Sequence, residues 1–321
     1  MSKDGGRALP PRPRKGSTAL QVLKGIDLSG VFILITGANT GIGLETARAL
    51  ALHNAHVTLA CRNMDAAERV KAAIKGEKAD ASVATIQLDL AELQSVERCA
   101  SEYLASGKPL HVLILNAGVY NPQERTTKNG FETTFQVNHL AQFHLTNLLM
   151  ERLLGSSPSR VVVVASTGHQ LTTIPSDQNR WWDYFSPNET NMTNMNTAYT
   201  VSKLANVLFA SELDRRMRDK GVRAFSVHPG VIITDITRNA AHCKALFTCC
   251  GCATISTEQG AATTVYCATA EGLELVGGQY FDQLVMKRPS RSARNEVNWT
   301  PFWLLSERMI DKYRSTRMSA V

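Results

Sequence analysis

A tyrosine and a lysine four residues apart, Tyr199 and Lys203, are the residues of this chain best suited to proton chemistry. On a helix, side chains at that spacing project from one face, one turn above the other. Phenol is a weak acid with an ordinary pKa of about 10, and a nearby ammonium favours the phenolate. We therefore predict that Lys203 lowers the pKa of Tyr199 toward neutrality and makes it a general acid. An ordinary helix with an inward tyrosine and a surface lysine is the alternative interpretation.

A glycine-rich stretch, Thr36-Gly-Ala-Asn-Thr-Gly-Ile-Gly43, lies between an apolar run and an amphipathic helical pattern, Leu44 to Leu52. Glycines without a Cβ let the backbone approach a pyrophosphate that lies on the helix N-terminus. The preceding strand and the following helix supply the context that this motif requires. The stretch predicts a dinucleotide site formed by Gly37, Asn39, Gly41, Ile42 and Gly43.

The end of the second apolar run carries Cys61-Arg62-Asn63, at the place where a dinucleotide site meets the adenosine ribose. An acid there suits a free 2′-hydroxyl, whereas an arginine suits a 2′-phosphate. The first acid, Asp65, lies beyond the strand, so Arg62 favours NADP(H) over NAD(H). Asp89, after the third run, is a candidate acceptor for the adenine amino group or an N-cap of the next helix.

Apolar runs of strand length alternate with helical patterns along the chain. The runs are Val31 to Ile35, His56 to Cys61, Val83 to Leu88, Leu110 to Leu115, Arg160 to Ala165 and Val222 to His228. The alternation predicts an α/β fold, a single doubly wound domain whose mostly parallel sheet has about seven strands flanked by helices. We place this domain at residues 27–321, after a disordered, basic, proline-containing tail at residues 1–26. A long polar loop, Gln170 to Thr197, interrupts the pattern.

Composition narrows the class of function. The 321 residues are 44% hydrophobic and 20% charged, and no apolar run approaches the ~18 residues of a membrane span. The N-terminus lacks the apolar segment of a secretory signal. The net charge of +7 comes partly from the tail. Without a basic helix or an aromatic-basic alternation, nucleic acid is not the expected partner.

Seven cysteines, an odd number, suit a reducing compartment such as the cytoplasm better than a disulfide framework. Cys249, Cys250 and Cys252 cluster, but only His242 with Cys243 stands nearby as a second ligand pair. No metal site is therefore predicted, and lipidation or packing is favoured. In the tail, the proline-rich pattern from Arg7 to Pro13 suits an SH3-type partner.

Several motifs occur together in the order found in one enzyme family. They are the glycine stretch from Gly37, Asn116-Ala-Gly118, Asn138, Ser166, Tyr199 with Lys203, and Pro229-Gly230. From Leu28 onward the chain resembles the short-chain dehydrogenases/reductases. Three longer stretches, Gly130 to His139, Ser202 to Phe209 and Glu258 to Cys267, resemble a branch of this family whose wider relatives are retinol-dehydrogenase-like enzymes. Ala141 and Gln142 replace a Gly-His pair frequent in that branch, a change that we expect to alter the helix surface near Asn138 without touching a named catalytic group.

The resemblance implies a role for each matched residue. Ser166 would bind the substrate carbonyl, Tyr199 would exchange the proton, and Lys203 would bind the nicotinamide ribose. Asn138 would hold a water that relays protons to Lys203. Because Ser166 and Tyr199 are farther apart than in many members, Thr167 or Ser202 are alternatives to Ser166. The implied cofactor contacts are Asn116, Gly118, Tyr199, Lys203, Pro229, Gly230 and Thr234.

These inferences predict an NADP(H)-dependent oxidoreductase that acts on a carbonyl or alcohol of a small molecule. The apolar segment Ile236 to Ile255 falls where the family places a substrate lid, which favours a steroid- or retinoid-like substrate, although a helix packed on the core is equally compatible. A signalling or scaffold protein that retains the fold is the other class, since fold alone does not set function. The resemblance also implies a homodimer through helices expected at Leu140 to Leu154 and Leu204 to Met217.

Overall fold

A computed structural model of the chain describes residues 13–187, 195–232 and 254–318. Within these ranges, the strands are β1 Phe32–Thr36, β2 His56–Cys61, β3 Val83–Gln87, β4 Val112–Leu115, β5 Ser159–Val164, β6 Val222–His228, β7 Tyr280–Asp282 and β8 Val285–Lys287. They form one sheet in the order β3-β2-β1-β4-β5-β6-β7-β8. Every neighbouring pair is parallel except β7 with β8. The predicted doubly wound parallel sheet is confirmed.

The described helices are α1 Ala19–Val22, α2 Gly41–Leu52, α3 Met64–Glu77, α4 Leu93–Ala105, α5 Thr133–Phe135, α6 Ala141–Leu148, α7 Met150–Gly155, α8 Trp181–Phe185, α9 Met195–Met217, α10 Thr257–Thr269, α11 Arg291–Arg294 and α12 Trp299–Met318. A π-helical turn, Gln136–Leu140, joins α5 to α6. Short 3-10 turns lie at Thr167–Leu171, Gln178–Arg180, Arg218–Lys220, Leu273–Val276 and Glu296–Asn298.

The parallel strands are apolar on both faces because each face is covered by helices. Side chains alternate along β1, so Leu34 packs in the core on one face while Ile33 and Ile35 pack in the core on the other. The alternation of apolar runs and helical patterns in the sequence does not indicate the two short strands β7 and β8. Their turn residues Gln283 and Leu284 both have positive φ, as a tight two-residue hairpin turn requires.

The N-terminal boundary of the packed unit differs from the predicted one. Thr18 and Gln21 form a reciprocal capping box at the start of α1. Ala19 and Leu23 are fully buried, and the Gln259 amide donates to the Gly16 carbonyl at 2.9 Å. α1, which lies in the segment assigned to the tail by composition, therefore packs on α10, and Leu20, Val22 and Ile26 are partly buried against the same core.

The segment after β5 is not the structureless loop that its polarity predicts, as far as the structure describes it. Trp181 and Phe185 of α8 are buried. The indole of Trp181 donates to the Pro175 carbonyl at 2.8 Å, and the Phe185 ring lies 4.7 Å from that of Phe302. The aromatic residues dock this segment on α12.

Three predicted features lie outside the described residues: the cysteine cluster 249–252, most of the proline-rich pattern and nearly all of the proposed lid segment. No helix in the described part of the chain is long and apolar enough to cross a membrane.

Candidate active site

The glycine turn between β1 and α2 forms a close backbone cradle. Gly37 and Gly41 have φ of +67° and +56°, a region that favours glycine. A Cβ on Gly43 would lie 2.3 Å from the Gly37 carbonyl oxygen and 2.4 Å from Asn116 Nδ2. Thr40 forms no side-chain capping bond at the start of α2, so the first-turn N–H groups can face an anion. These residues fit the pyrophosphate of a dinucleotide.

The ends of β1 and β4 are joined by hydrogen bonds behind this turn. The Thr36 hydroxyl accepts from the backbone N–H groups of Asn116 and Ala117, each at 3.0 Å. The Asn116 side chain donates to the Thr36 and Gly37 carbonyls at 3.0 and 3.1 Å. The Asn116 side chain thus supports the turn.

On the predicted adenosine side, Arg62 is exposed directly after β2. Asn63 caps α3 by accepting from the Ala66 N–H at 3.0 Å. Asp89 accepts from the Ala91 N–H at 2.9 Å, whereas the residue that precedes α4 as its N-cap is Glu92. Asp89 is therefore not the cap of that helix. Asn39 lines a cavity of about 280 Å³ between α2 and α3.

On the predicted nicotinamide side, the structure brings Ser166, Tyr199 and Lys203 together near the carboxyl end of β5. The Ser166 hydroxyl accepts from the Gly168 N–H at 3.1 Å, and Ser166 Oγ and the Tyr199 ring both lie within 4 Å of the position of a Cβ added to Gly168. Lys203 Nζ donates to the Val164 carbonyl at 2.9 Å and lies 5.5 Å from the Tyr199 ring centroid. The structure thus places Ser166 next to Tyr199 across the long insertion.

The two alternatives to Ser166 occupy other positions. Thr167 is exposed. Ser202 is fully buried, and its hydroxyl donates to the Tyr199 carbonyl at 2.7 Å and accepts from Asn138 Nδ2 at 3.0 Å. Ser202 thus supports α9 and leaves Ser166 as the hydroxyl beside the phenol.

Asn138 lies in the π-helical turn, a type of turn found frequently at functional sites. Its Oδ1 accepts from the Val119 N–H at 2.7 Å, and its Nδ2 donates to the Val119 carbonyl at 3.0 Å. A Cβ added to Gly118 would lie 3.4 Å from Asn138 Oδ1 and 3.5 Å from Lys203 Nζ. Asn138 therefore fixes the backbone next to the lysine.

The predicted acidification of Tyr199 is wrong for this structure. Burial raises the pKa of Tyr199 to about 12, although the Ser166 hydrogen bond acts in the opposite direction. Burial also lowers the pKa of Lys203 to about 8. The physical reason is that the Lys203 ammonium donates to a backbone carbonyl, while burial removes water from both the phenol and the ammonium and disfavours their charged forms. At neutral pH the phenol is protonated, as a proton donor requires.

The loop after β6 is described only in part. Gly230 has a φ of +108°, and a Cβ there would meet Ile255 Cδ1 at 2.4 Å. Pro229 and Gly230 thus begin the loop in the predicted place, and Thr234 lies outside the described residues. The Ile42 side chain lies near Gly260 of α10, where an added Cβ would be 3.5 Å from Ile42 Cγ1.

Two residues near the site were missed by sequence reasoning. Tyr120 lies edge-on to Tyr199 with 5.3 Å between ring centroids. Gln142 is buried, with 2% of its surface exposed, and donates to the Asn138 carbonyl at 2.9 Å. The expectation that Gln142 lies on the helix surface is therefore wrong. Its spacing of four residues from Asn138 placed it on the same helix face and was the available signal.

The chain belongs to the short-chain dehydrogenase family. The model of that family matches residues 31–174. The chain is 46% identical over 308 residues to the WW domain-containing oxidoreductase of Gallus gallus, which covers 94% of this chain and 74% of that protein. It is 40% identical over 285 residues to retinol dehydrogenase 12 of Mus musculus, covering 88% of this chain and 86% of that protein. The chain is thus an NAD(P)-dependent short-chain dehydrogenase/reductase, as its motifs predict.

Solved structures agree with this assignment. An uncharacterized protein from Mycobacterium Paratuberculosis superposes with a TM-score of 0.68 at 31% identity, covering 89% of this chain and 95% of that one. A structure described as an NAD(P)-dependent gluconate 5-dehydrogenase from Beutenbergia cavernae, with bound NADP, has a TM-score of 0.62 at 25% identity and covers 80% of this chain and 96% of that one.

Proposed function

We propose that this protein is an NADPH-dependent reductase of lipophilic ketones or aldehydes. The observation that carries the proposal is the joint placement of Ser166, Tyr199 and Lys203 beside the Gly118 backbone, which together with the glycine turn would line a cofactor cleft. A hydroxyl, a phenol and an ammonium together can bind a carbonyl oxygen and stabilise the charge that develops on it. An NADP(H) molecule in that cleft would supply the hydride.

Tyr199 is the proton donor in this proposal. Its raised pKa keeps the phenol protonated at neutral pH, so the proton is available to the oxygen of the reacting carbonyl. Ser166 accepts from Gly168 and keeps its own proton to donate. Once Tyr199 has given its proton, the Ser166 hydrogen bond and the Lys203 ammonium stabilise the phenolate. Asn138 acts through its hold on the backbone of Val119, and a proton relay to Lys203 would pass beside it.

Arg62 supports NADP(H) over NAD(H). It is exposed after β2, and within the described residues no acidic side chain pairs with it. A guanidinium at that position can bind a 2′-phosphate with two parallel hydrogen bonds. The NADP found in the related gluconate 5-dehydrogenase structure agrees with this choice.

A lipophilic substrate is supported by the relatives and by the site. Retinol dehydrogenases of mouse and human are 38 to 40% identical to this chain. Tyr120 presents an aromatic ring beside Tyr199, and aromatic side chains favour apolar ligands. We place retinoid- and steroid-like carbonyl compounds first among the candidates.

The test is oxidation of NADPH, followed at its absorbance band, with a panel of retinal-like aldehydes, steroid ketones and small hydrophilic ketones. We expect turnover with the lipophilic compounds and a lower rate when NADH replaces NADPH. Turnover limited to hydrophilic ketones would contradict the substrate class. Absence of turnover with every compound, by a protein that binds NADPH, would contradict the enzymatic role.

Three further proposals rest on sequence alone. The proline-rich pattern up to Pro13 would bind an SH3-type domain, the cysteine content would suit the cytoplasm, and the long helices would support a homodimer. Binding of the tail peptide to an SH3 domain, lost when Pro10 and Pro13 become alanine, would test the first.

A further inference from the structure

The Gln142 side chain makes three hydrogen bonds of 3.1 Å or shorter that connect three separate parts of the site, and a longer one of 3.4 Å to the Val137 carbonyl. Its Oε1 accepts from the Thr36 hydroxyl at 2.9 Å. Its Nε2 donates to the Asn138 carbonyl at 2.9 Å and to the Ala117 carbonyl at 3.1 Å. One side chain thus joins the end of β1, the turn after β4 and the π-helical turn.

The orientation of the Gln142 amide follows from the chemistry of its partner. A hydroxyl has one proton to donate and two lone pairs. Both lone pairs of Thr36 receive backbone N–H groups, those of Asn116 and Ala117. The Thr36 proton must therefore go to an acceptor, and only the amide oxygen of Gln142 can take it. This fixes the Gln142 nitrogen toward the two carbonyls.

The hydrogen bonds of Asn138 and Gln142 together hold the stretch of backbone that lies next to Lys203. The Asn138 side chain holds Val119, and Gln142 holds the Asn138 backbone to Ala117. Gly118, the residue between these two tethers, is the one whose added Cβ would lie 3.5 Å from Lys203 Nζ. The backbone that faces the ammonium is therefore positioned from both sides, on one side by Gln142.

We propose that Gln142 is a positioning residue, which couples the phosphate-binding turn to the Asn138 turn and thereby sets the placement of cofactor and Lys203. The proposal rests on the proposed function for its catalytic consequence, although its consequence for cofactor binding is independent of any substrate. An imidazole has only one donor and one acceptor when neutral, so a histidine at this position cannot reproduce all three bonds.

The chain offers a matched control, Gln136. It is also a fully buried glutamine with three hydrogen bonds, and it lies in the same π-helical turn. Its partners are the Leu90 carbonyl, Asn129 and Thr127, none of which belongs to the Gln142 network. Gln136→Leu therefore tests the loss of a buried glutamine in general. Gln142→Leu tests the loss of the link between the phosphate-binding turn and the Asn138 turn.

The experiment compares these two variants in NADPH affinity, kcat and KM, at a temperature where both are folded. We expect Gln142→Leu to weaken NADPH binding at least fivefold and to lower kcat about tenfold, which corresponds to about 1.4 kcal/mol in the barrier. The KM for the carbonyl should change less than threefold. Gln136→Leu should change each quantity less than twofold. Equal effects of the two variants, or a Gln142→Leu protein with unchanged NADPH affinity and kcat, would overturn the inference.

Gln142→Glu is the second variant, in case Gln142→Leu does not fold. A carboxylate can still accept from Thr36 but has no proton for the two carbonyls, whereas a protonated carboxyl regains one donor. The ratio of variant to wild-type NADPH affinity should rise as the pH falls from 8 to 6. A ratio that is constant with pH and close to one would overturn the inference. If the wild type binds NADPH but reduces no carbonyl, the proposed function fails while these affinity measurements still decide the role of Gln142.

Discussion

The adenosine and nicotinamide sides of the proposed cofactor site are built in opposite ways. On the adenosine side, Arg62 and Asn63 are exposed and belong to the first residues after a strand. On the nicotinamide side, Asn138 and Lys203 are almost completely buried, and each is held by backbone groups. Exposed groups can be exchanged at little cost in folding free energy, whereas buried polar groups link function to stability. Substitutions that change cofactor choice should therefore leave the stability of the fold unchanged, whereas substitutions that change catalysis should also change stability.

The largest effect is expected at Tyr199. Tyr199→Phe keeps the ring and its contact with Tyr120 but deletes the proton donor. The rate of carbonyl reduction should fall by about 10² to 10⁴, the contribution of general acid catalysis, while NADPH binding stays within twofold. Steady-state kinetics and cofactor titration measure this.

Tyr103→Phe is its control, because Tyr103 is a buried tyrosine whose hydroxyl donates to the Pro109 carbonyl outside the site. It should lower stability and leave the rate unchanged. Undiminished reduction by Tyr199→Phe would show that another group moves the proton.

Replacement of Lys203 should change activity and stability in opposite directions. Its pKa is lowered from 10.5 to about 8 by burial, which corresponds to at most about 3 kcal/mol of charge penalty in the folded state. Lys203→Met should abolish most of the activity and weaken NADPH, yet raise the free energy of unfolding at pH 7. The gain is smaller than that limit because the hydrogen bond to the Val164 carbonyl is lost as well.

The same shift gives a pH dependence with a defined sign. Because the folded-state pKa lies below the unfolded one, the unfolded chain binds more protons between about pH 8 and 10.5, so the contribution of Lys203 to stability rises with pH in that window. The activity should fall over the lower part of this window as the ammonium is lost. Urea unfolding at pH 7 and 9.5 should show that the stability advantage of Lys203→Met shrinks at the higher pH. An advantage that grows with pH would contradict the assignment.

Arg62 should change cofactor choice without changing the fold. Arg62→Ala should weaken NADPH by about 1.5 to 3 kcal/mol, the range of a charge-assisted hydrogen bond, and leave NADH nearly unchanged. Its melting temperature should equal that of the wild type, since Arg62 is exposed. Arg218→Ala, which removes another exposed arginine, should affect neither cofactor. Equal losses for NADPH and NADH would mean that Arg62 supports the loop.

The contrast between the two sides also explains what the sequence could predict. The strand runs and the glycine turn depend on local patterns, and β2 and β6 begin and end where the pattern places them. The three-residue strands β7 and β8 are too short for a periodicity to mark them. Residue types and order indicated Ser166, Tyr199 and Lys203.

What the sequence could not predict depends on burial. The pKa of Tyr199 is set by how much water the fold removes, and spacing to a lysine carries no information about that. The same holds for Gln142, whose partners Thr36 and Ala117 come from distant parts of the chain. The start of the packed unit differs from the predicted one because α1 is a single turn, in which Ala19 is buried while Leu20 and Val22 are only partly buried.

The smallest expected effect is at Asn63, next to Arg62. Its side chain caps α3 through the Ala66 N–H, and loss of such a cap costs about 1 kcal/mol. Asn63→Ala should therefore lower the melting temperature by a few degrees, while the ratio of NADPH to NADH affinity stays within twofold of the wild type. Asn63→Ser, which can still cap the helix, should restore most of the stability. A change in cofactor ratio as large as that of Arg62→Ala would show that the start of α3 and the 2′-phosphate site are one structural unit, because the cap would then position the arginine.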